Sequence, residues 1–206
     1  MHYNYPRIGG VKRDMPIGFA DRVIAKTKLF EKRLDEYEMM LDESTIWLVR
    51  LQGVGYANAE SMVDAGVSGP NVRAAGVNYD VRWAHPYSVY DEVDWEPAVE
   101  KPTSVKGADC YDRYRVRMEE MRQSCRMVLD ALNKIPGGKN TNYANGDEMI
   151  FTKAPTRAPE GATGFSNYEC TRGASQFYIQ GGGDSRGKNP YRLSIRSPMF
   201  ITIPYV

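Results

Sequence analysis

Three cysteines and two histidines, Cys110, Cys125, Cys170, His2 and His85, are the residues here with the widest chemical range. Their number and spacing exclude more than they allow. An iron–sulfur cluster held by four thiolates cannot be assembled from three. No C-x-x-C pair and no H-E-x-x-H occurs, so the short-spaced zinc patterns are missing. An odd, widely spaced cysteine set makes no disulfide framework and suits a reducing compartment. Each thiol then reads as a small core hydrophobe, and a metal that this chain serves is expected on a partner. Two histidines and no nucleophile elbow give no Ser-His-Asp or Cys-His arrangement. Gly181-Gly182-Gly183 is closed by no G-K-[ST] and enters no predicted helix, so it reads as a hairpin loop rather than a phosphate cradle. Arg113, Arg115, Arg117, Arg122 and Arg126 share one predicted helix with Glu119 and Glu120. They suit a solvated face laced with ion pairs, or a subunit interface, because arginine tolerates partial burial beside carboxylates. Residue chemistry alone names no reaction.

The elements that must carry these residues are mostly helical. Residues 109–135 hold the clearest period: Tyr111, Tyr114, Met118, Met121, Cys125, Val128, Leu132 and Ile135 step by threes and fours. That heptad seam predicts a helix of about 38 Å, capped by Asp109 with Asp112 in its first turn and stopped by Pro136-Gly137-Gly138. One seam needs partner helices, which implies a bundle. Residues 18–42 predict the first neighbour, with Phe19, Val23, Phe30, Leu34, Tyr37 and Leu41 on one face. Two helices leave seam exposed, so another chain is expected to cover the rest. Residues 46–51 continue that helix or form a short element of their own. Asn58 is a predicted N-cap for a short helix over 59–65 that ends at Gly66. Residues 77–108, with Pro86, Pro97 and Pro102, read as irregular chain crossing a surface. Residues 139–164 read as a polar linker. Ser175–Gln180 and Tyr191–Arg196 read as two strands of a hairpin, and the apolar end, Phe200 to Val206, is expected to dock. The fold class is α+β, mainly α: a helical bundle portion over 1–138, then a linker and β-hairpin segment over 139–206 that docks on the bundle or on a partner chain.

Composition narrows the partners. The net charge is +1, from 27 Lys+Arg against 26 Asp+Glu, which argues against binding nucleic acid through bulk charge. Hydrophobic residues at 42% and charged ones at 26% suit a globular chain. No apolar run reaches the roughly 18 residues that span a bilayer. The first residues resemble neither a secretion signal nor an import presequence.

Several stretches follow the spellings of a single family. Met1 to Val11 resembles M-H-x-x-Y-x-R-P-G-G-V, with Ile8 where proline is usual. Arg33-Leu34-Asp35-Glu36-Tyr37-Glu38 and Ile46-Trp47 resemble its next helix. The run from Gly66 to Gly76 is similar to its S-G-x-x-x-R-x-S/A-G turn. Pro86 to Asp91, Asp109 to Tyr114 and Glu119 to Ser124 are close to signature quality. Arg172-Gly173 and Pro190-Tyr191-Arg192 resemble R-G-E and P-Y/F-R, with Ala174 in place of the acid. Together these stretches resemble one family, the quinone-site (D or 49-kDa) subunit of respiratory complex I, related to the large subunit of nickel–iron hydrogenases; that family protein is roughly twice as long. Its quinone-headgroup His and Tyr precede the region where this chain begins, and its C-terminal segment would follow residue 206. The resemblance thus implies the middle-to-C-terminal portion of a divided subunit, or a fragment whose remainder is not included in these residues.

It also implies a function: shaping the quinone-reduction site beside a terminal [4Fe-4S] cluster, in electron transfer from NADH to quinone coupled to proton pumping. This chain alone would lack a complete active site and bind no cofactor by itself. The cluster would belong to a partner subunit, quinone would be the substrate of the complex, and another chain would supply the N-terminal half. His2 and Arg7 would lie near that cluster, His2 donating an N–H to a sulfur and Arg7 adding positive charge or holding the loop. The spelling of Asp109–Ser124 points to the matrix side of the mitochondrial inner membrane, the alternative being the cytoplasmic face of a prokaryotic membrane. A hydrogenase-like large-subunit fragment would need two cysteine pairs that this chain lacks. A structural remnant that only fills the bundle is the non-catalytic alternative.

Overall fold

A computed structural model describes residues 5–7, 10–11, 15–135, 158–183 and 189–205. Pro6–Arg7 (β1) and Gly10–Val11 (β2) pair antiparallel as a short ribbon. Phe19–Asp42 (α1) and Thr45–Leu51 (α2) are separate helices. The break comes at Ser44, whose hydroxyl caps α2 by accepting from Trp47 N–H. Asn58 caps Ala59–Asp64 (α3) as expected, and Gly66 takes the left-handed conformation that ends it. Pro70–Ala74 (α4) is a single turn inside the glycine-punctuated run from Gly66 to Gly76, and Val81–Ala84 (α5) is one inside the stretch read from sequence as irregular.

The 25-residue Cys110–Lys134 (α6) organises the rest. Asp109 and Asp112 form a reciprocal capping box, so two first-turn amides are satisfied at once. Tyr111 donates to Asp42, and Arg122 reaches back to Asp35 and Glu38; α1 therefore runs antiparallel to α6. Between them Leu34, Met118 and Cys125 are buried, with Tyr114 and Met121 packed against them. The seam is covered only in part. Val128 is 39% exposed, and Phe30 and Tyr37, expected on the inner face of α1, are 42% and 46% exposed. One facing helix buries only a narrow stripe.

A second line on α6 does what the seam does not. Asp112, Val116 and Glu120, four residues apart, face a separate core of Ala57, Met62, Val67, Val72, Ala74, Ala75 and Ala108. Ile201 and Tyr205 pack on this core, and the Tyr205 hydroxyl donates to Ser61 O at 2.8 Å. The apolar end docks, through Pro198–Thr202 (α7) and a 3-10 turn over Ile203–Tyr205.

The sheet departs from expectation. It has three antiparallel strands, Thr163–Cys170 (β3), Gly173–Gln180 (β4) and Arg192–Arg196 (β5). β4 and β5 are the expected hairpin. β3 begins inside the predicted linker, because Gly164, Ser166 and Asn167 hide a strand whose eight residues all pair with β4. Most of the linker, and the end of the loop after Gly183, lie outside the described residues. The stretch 77–108 is irregular but does not merely cross a surface: Asp80, Val81, Trp95 and Ala98 are buried.

Candidate functional site

The chemistry-bearing groups gather in two places. The first is centred on Arg73 of α4, only 1% exposed. Its guanidinium pairs with Asp80 at 3.0 Å, with Glu169 of β3 at 3.1 Å and with Glu120 of α6, and it donates to Tyr79 O at 3.0 Å. Arg73 Nε is buried and unpartnered. Arg82 grips both oxygens of Asp80, at 2.9 and 2.7 Å, and lies over the Trp95 ring at 4.6 Å. Burial opposes the Arg82 charge, but the Asp80 carboxylate more than offsets it and holds the guanidinium above its usual range. Two guanidiniums against three carboxylates leave the cluster one negative charge in excess. A cavity of about 370 Å³ opens beside it, walled by Glu120, Glu169, Arg82 and Cys170.

Glu169 is held away from its ordinary value in this setting. Burial, and then the Asp80 carboxylate, push its carboxyl above the ordinary 4.5, against the pull of Arg73 and of the Val81 N–H at 3.3 Å. Tyr87 also faces it, accepting from Glu169 N–H at 3.2 Å. A raised folded-state value stabilises the fold fully below 4.5, and that contribution is lost as pH rises through the folded value. The thermal stability of the chain should therefore fall on raising the pH from 4.5 towards neutrality, and Glu169→Gln should flatten that slope. Identical slopes in both proteins would show that Glu169 does not titrate in this window.

The second place is a cavity of about 780 Å³ where α2, α4, α6, the β3–β4 turn and α7 converge. Leu51, Met199 and Ile203 give it apolar walls, Trp47 and Tyr114 meet edge to face at 5.5 Å, and Arg113, Arg117 and Arg172 supply cations. Tyr114 is pushed up to about 12 by burial and by the carboxylates of Asp42 and Glu38, so its hydroxyl keeps its proton. Three stretches far apart in sequence, Ile46-Trp47, Asp109–Tyr114 and Arg172-Gly173, thus wall one volume.

His2 lies outside the described residues. Arg7 is described only by its backbone, at the end of β1 opposite Gly10. The three cysteines are not gathered: Cys125 is buried between α1 and α6, Cys110 borders the large cavity and Cys170 the smaller. His85 is exposed at the end of α5. The arginine series on α6 is not a free solvated face. Arg122 ties α6 to α1, Arg115 pairs with Glu100, and Arg113 bonds backbone carbonyls. Sequence reasoning missed Arg73, Asp80 and Glu169 as a unit. The available signal was an arginine inside Val72-Arg73-Ala74-Ala75, where a charge among small apolar residues calls for buried partners.

The match to known proteins covers the whole chain. The family model described as respiratory-chain NADH dehydrogenase, 49 Kd subunit, matches residues 1–206. An NAD(P)H-quinone oxidoreductase subunit of Synechococcus sp. is 35% identical over 97% of this chain and 53% of its own length. The NADH-ubiquinone oxidoreductase 49 kDa subunit of Reclinomonas americana is 35% identical over 97% and 52%. An NADH-quinone oxidoreductase subunit of Rhizobium etli is 32% identical over 98% and 52%. The chain spans about half the length of these relatives. Among the described residues no helix is long and apolar enough to cross a membrane. With its entire length matched, this chain belongs to the family of the respiratory-chain NADH dehydrogenase 49 kDa subunit.

Proposed function

We propose that the chain forms part of the peripheral-arm module of a complex I-type NADH:quinone oxidoreductase, where it shapes the quinone-reduction site next to a [4Fe-4S] cluster carried by a partner subunit. The observation that carries this reading is the family match over residues 1–206, with which the fold agrees by bringing Trp47, Tyr114 and Arg172, each from a different family-like stretch, to one place. Its partners are the other peripheral-arm subunits, the cluster-bearing one among them, and a chain that supplies the N-terminal half of the family's length. The complex works at the matrix face of the mitochondrial inner membrane. The Synechococcus and Reclinomonas relatives are equally similar, so that placement rests on the spelling of Asp109–Ser124.

His2 and Arg7 act towards the cluster, which supplies one-electron chemistry when bound. An imidazole N–H donated to a cluster sulfur favours the reduced, more negative state, and protonation of His2 favours it further. Arg7 adds a fixed positive charge or holds the loop. Reduction in turn raises the histidine pKa, so the midpoint should fall with rising pH between the two histidine values, by up to about 59 mV per unit. His2→Met removes both the donor and the titrating group while keeping bulk. An EPR-monitored redox titration of membranes at several pH values should show a lower midpoint and a flatter slope. If midpoint and slope both match the wild type, His2 is not at the cluster.

A further inference from the structure

The larger cavity is rich in hydrogen-bond donors and has no acid among the described residues that wall it. Trp47 Nε1–H and the Tyr114 hydroxyl are both buried without a partner. Leaving a buried donor unpaired is costly, and two in one cavity call for an acceptor that the described residues do not provide. The guanidiniums repeat the pattern. Arg115 and Arg122, elsewhere on α6, have carboxylate partners. In the cavity, Arg113 bonds the carbonyls of Gly55 and Ala108, and Arg117 that of Thr171 at 3.3 Å. Neither has an acid partner among the described residues, and Arg172 has neither a hydrogen bond nor an ion pair there. Beside these cations Met199 and Ile203 are 50% and 64% exposed.

We propose that this cavity seats an acidic segment of polypeptide lying outside these 206 residues. An Asp or Glu carboxylate of that segment sits with Arg117 and Arg172, its oxygens or neighbouring carbonyls accept from Trp47 and Tyr114, and apolar side chains cover Leu51, Met199 and Ile203. A polypeptide is favoured over a small amphiphile because the relatives carry about as much chain again, and that chain needs complementary surface. The inference rests on the divided-subunit reading and adds the seat and the chemistry of the junction.

The test uses the assembled complex. A photo-cross-linking amino acid is placed at Met199 or Ile203, both exposed enough to tolerate it, and the cross-linked peptide is identified by mass spectrometry. The expected product is an Asp- or Glu-bearing peptide of another chain, or of sequence beyond residue 206. Arg172→Glu should lower its yield about tenfold or more; Arg172→Lys should retain most of it. Reversing the segment's acid to lysine in the Arg172→Glu background should restore the cross-link. A cross-link to lipid, to quinone or to residues within 1–206 overturns the proposal. So does a peptide without an acid, a failed charge swap, or no cross-link from either position. The functional reading is judged separately, by the chains that co-purify: respiratory subunits present with the cross-link elsewhere sink only the seat, whereas their absence sinks the reading itself.

Discussion

Arg73→Ala should abolish accumulation of the folded chain. The substitution leaves Asp80 and Glu169, with side chains 0% and 3% exposed, and Glu120 at 23%, around an emptied centre. Breaking a buried pair by removing one partner costs about 3–5 kcal/mol, and here one guanidinium serves three carboxylates. Whole domains are stable by about 5–15 kcal/mol, so most of the margin goes. Arg73→Lys should rescue only in part, since a single ammonium lacks the fork that meets acids from α5's cap, α6 and β3 together. Arg33→Ala, which removes an exposed pair with Glu36, should change nothing measurable. Soluble yield and the urea midpoint decide this. A near-normal midpoint for Arg73→Ala would mean that the cluster does not hold the sheet to the helices.

Gly173→Ala should be nearly as damaging, for a steric reason. Gly173 has φ +125, and an added Cβ would lie 2.6 Å from the carbonyl oxygen of Ser68. From the other side Gly69, at φ +82, would bring a Cβ within 2.4 Å of Gly173 Cα. Two backbones meet with no room for a side chain on either, fastened by Ala174 N–H donating to Ser68 Oγ at 2.9 Å. Positive φ alone costs about 1–3 kcal/mol, and the clash forces the sheet to move as well. Gly161→Ala isolates the first effect, because Gly161 is at φ +75 with open space around it. Limited proteolysis should then cut β3 and β4 in Gly173→Ala far sooner than in Gly161→Ala. Equal protection would show that the contact yields without cost.

What the sequence made legible was local. The seam on α6, the capping residues Asp109 and Asn58, and the β4–β5 pairing all rest on spacings within a few residues. What it hid was long-range or disguised. The second line on α6 is flanked by Asp112 and Glu120, which no hydrophobic count includes. Arg73 finds its partners 7, 47 and 96 residues away, a distance that periodicity cannot reach. The resemblance named Trp47, Tyr114 and Arg172 separately, but only the fold brings them to one cavity. The exposed half of α1's expected inner face was legible as apolar, not as uncovered, because coverage belongs to the neighbour rather than to the helix.

The glycine contact between Gly69 and Gly173 also sets an order of events. β3 and β4 are joined by two residues, so their pairing is local, whereas their landing place on α4 lies about a hundred residues earlier in the chain. Non-local contacts form slowly because loop closure must come first, although each doubling of the intervening chain adds only about 0.6 kcal/mol. The local pairing of β3 with β4 should therefore close faster than the contact of that pair with α4 and α6. Until Gly173 reaches Ser68, the acid of Glu169 stays in water and the charge of Arg73 is unanswered from that side. Docking of the sheet on α4 therefore closes the ion cluster and the backbone contact together.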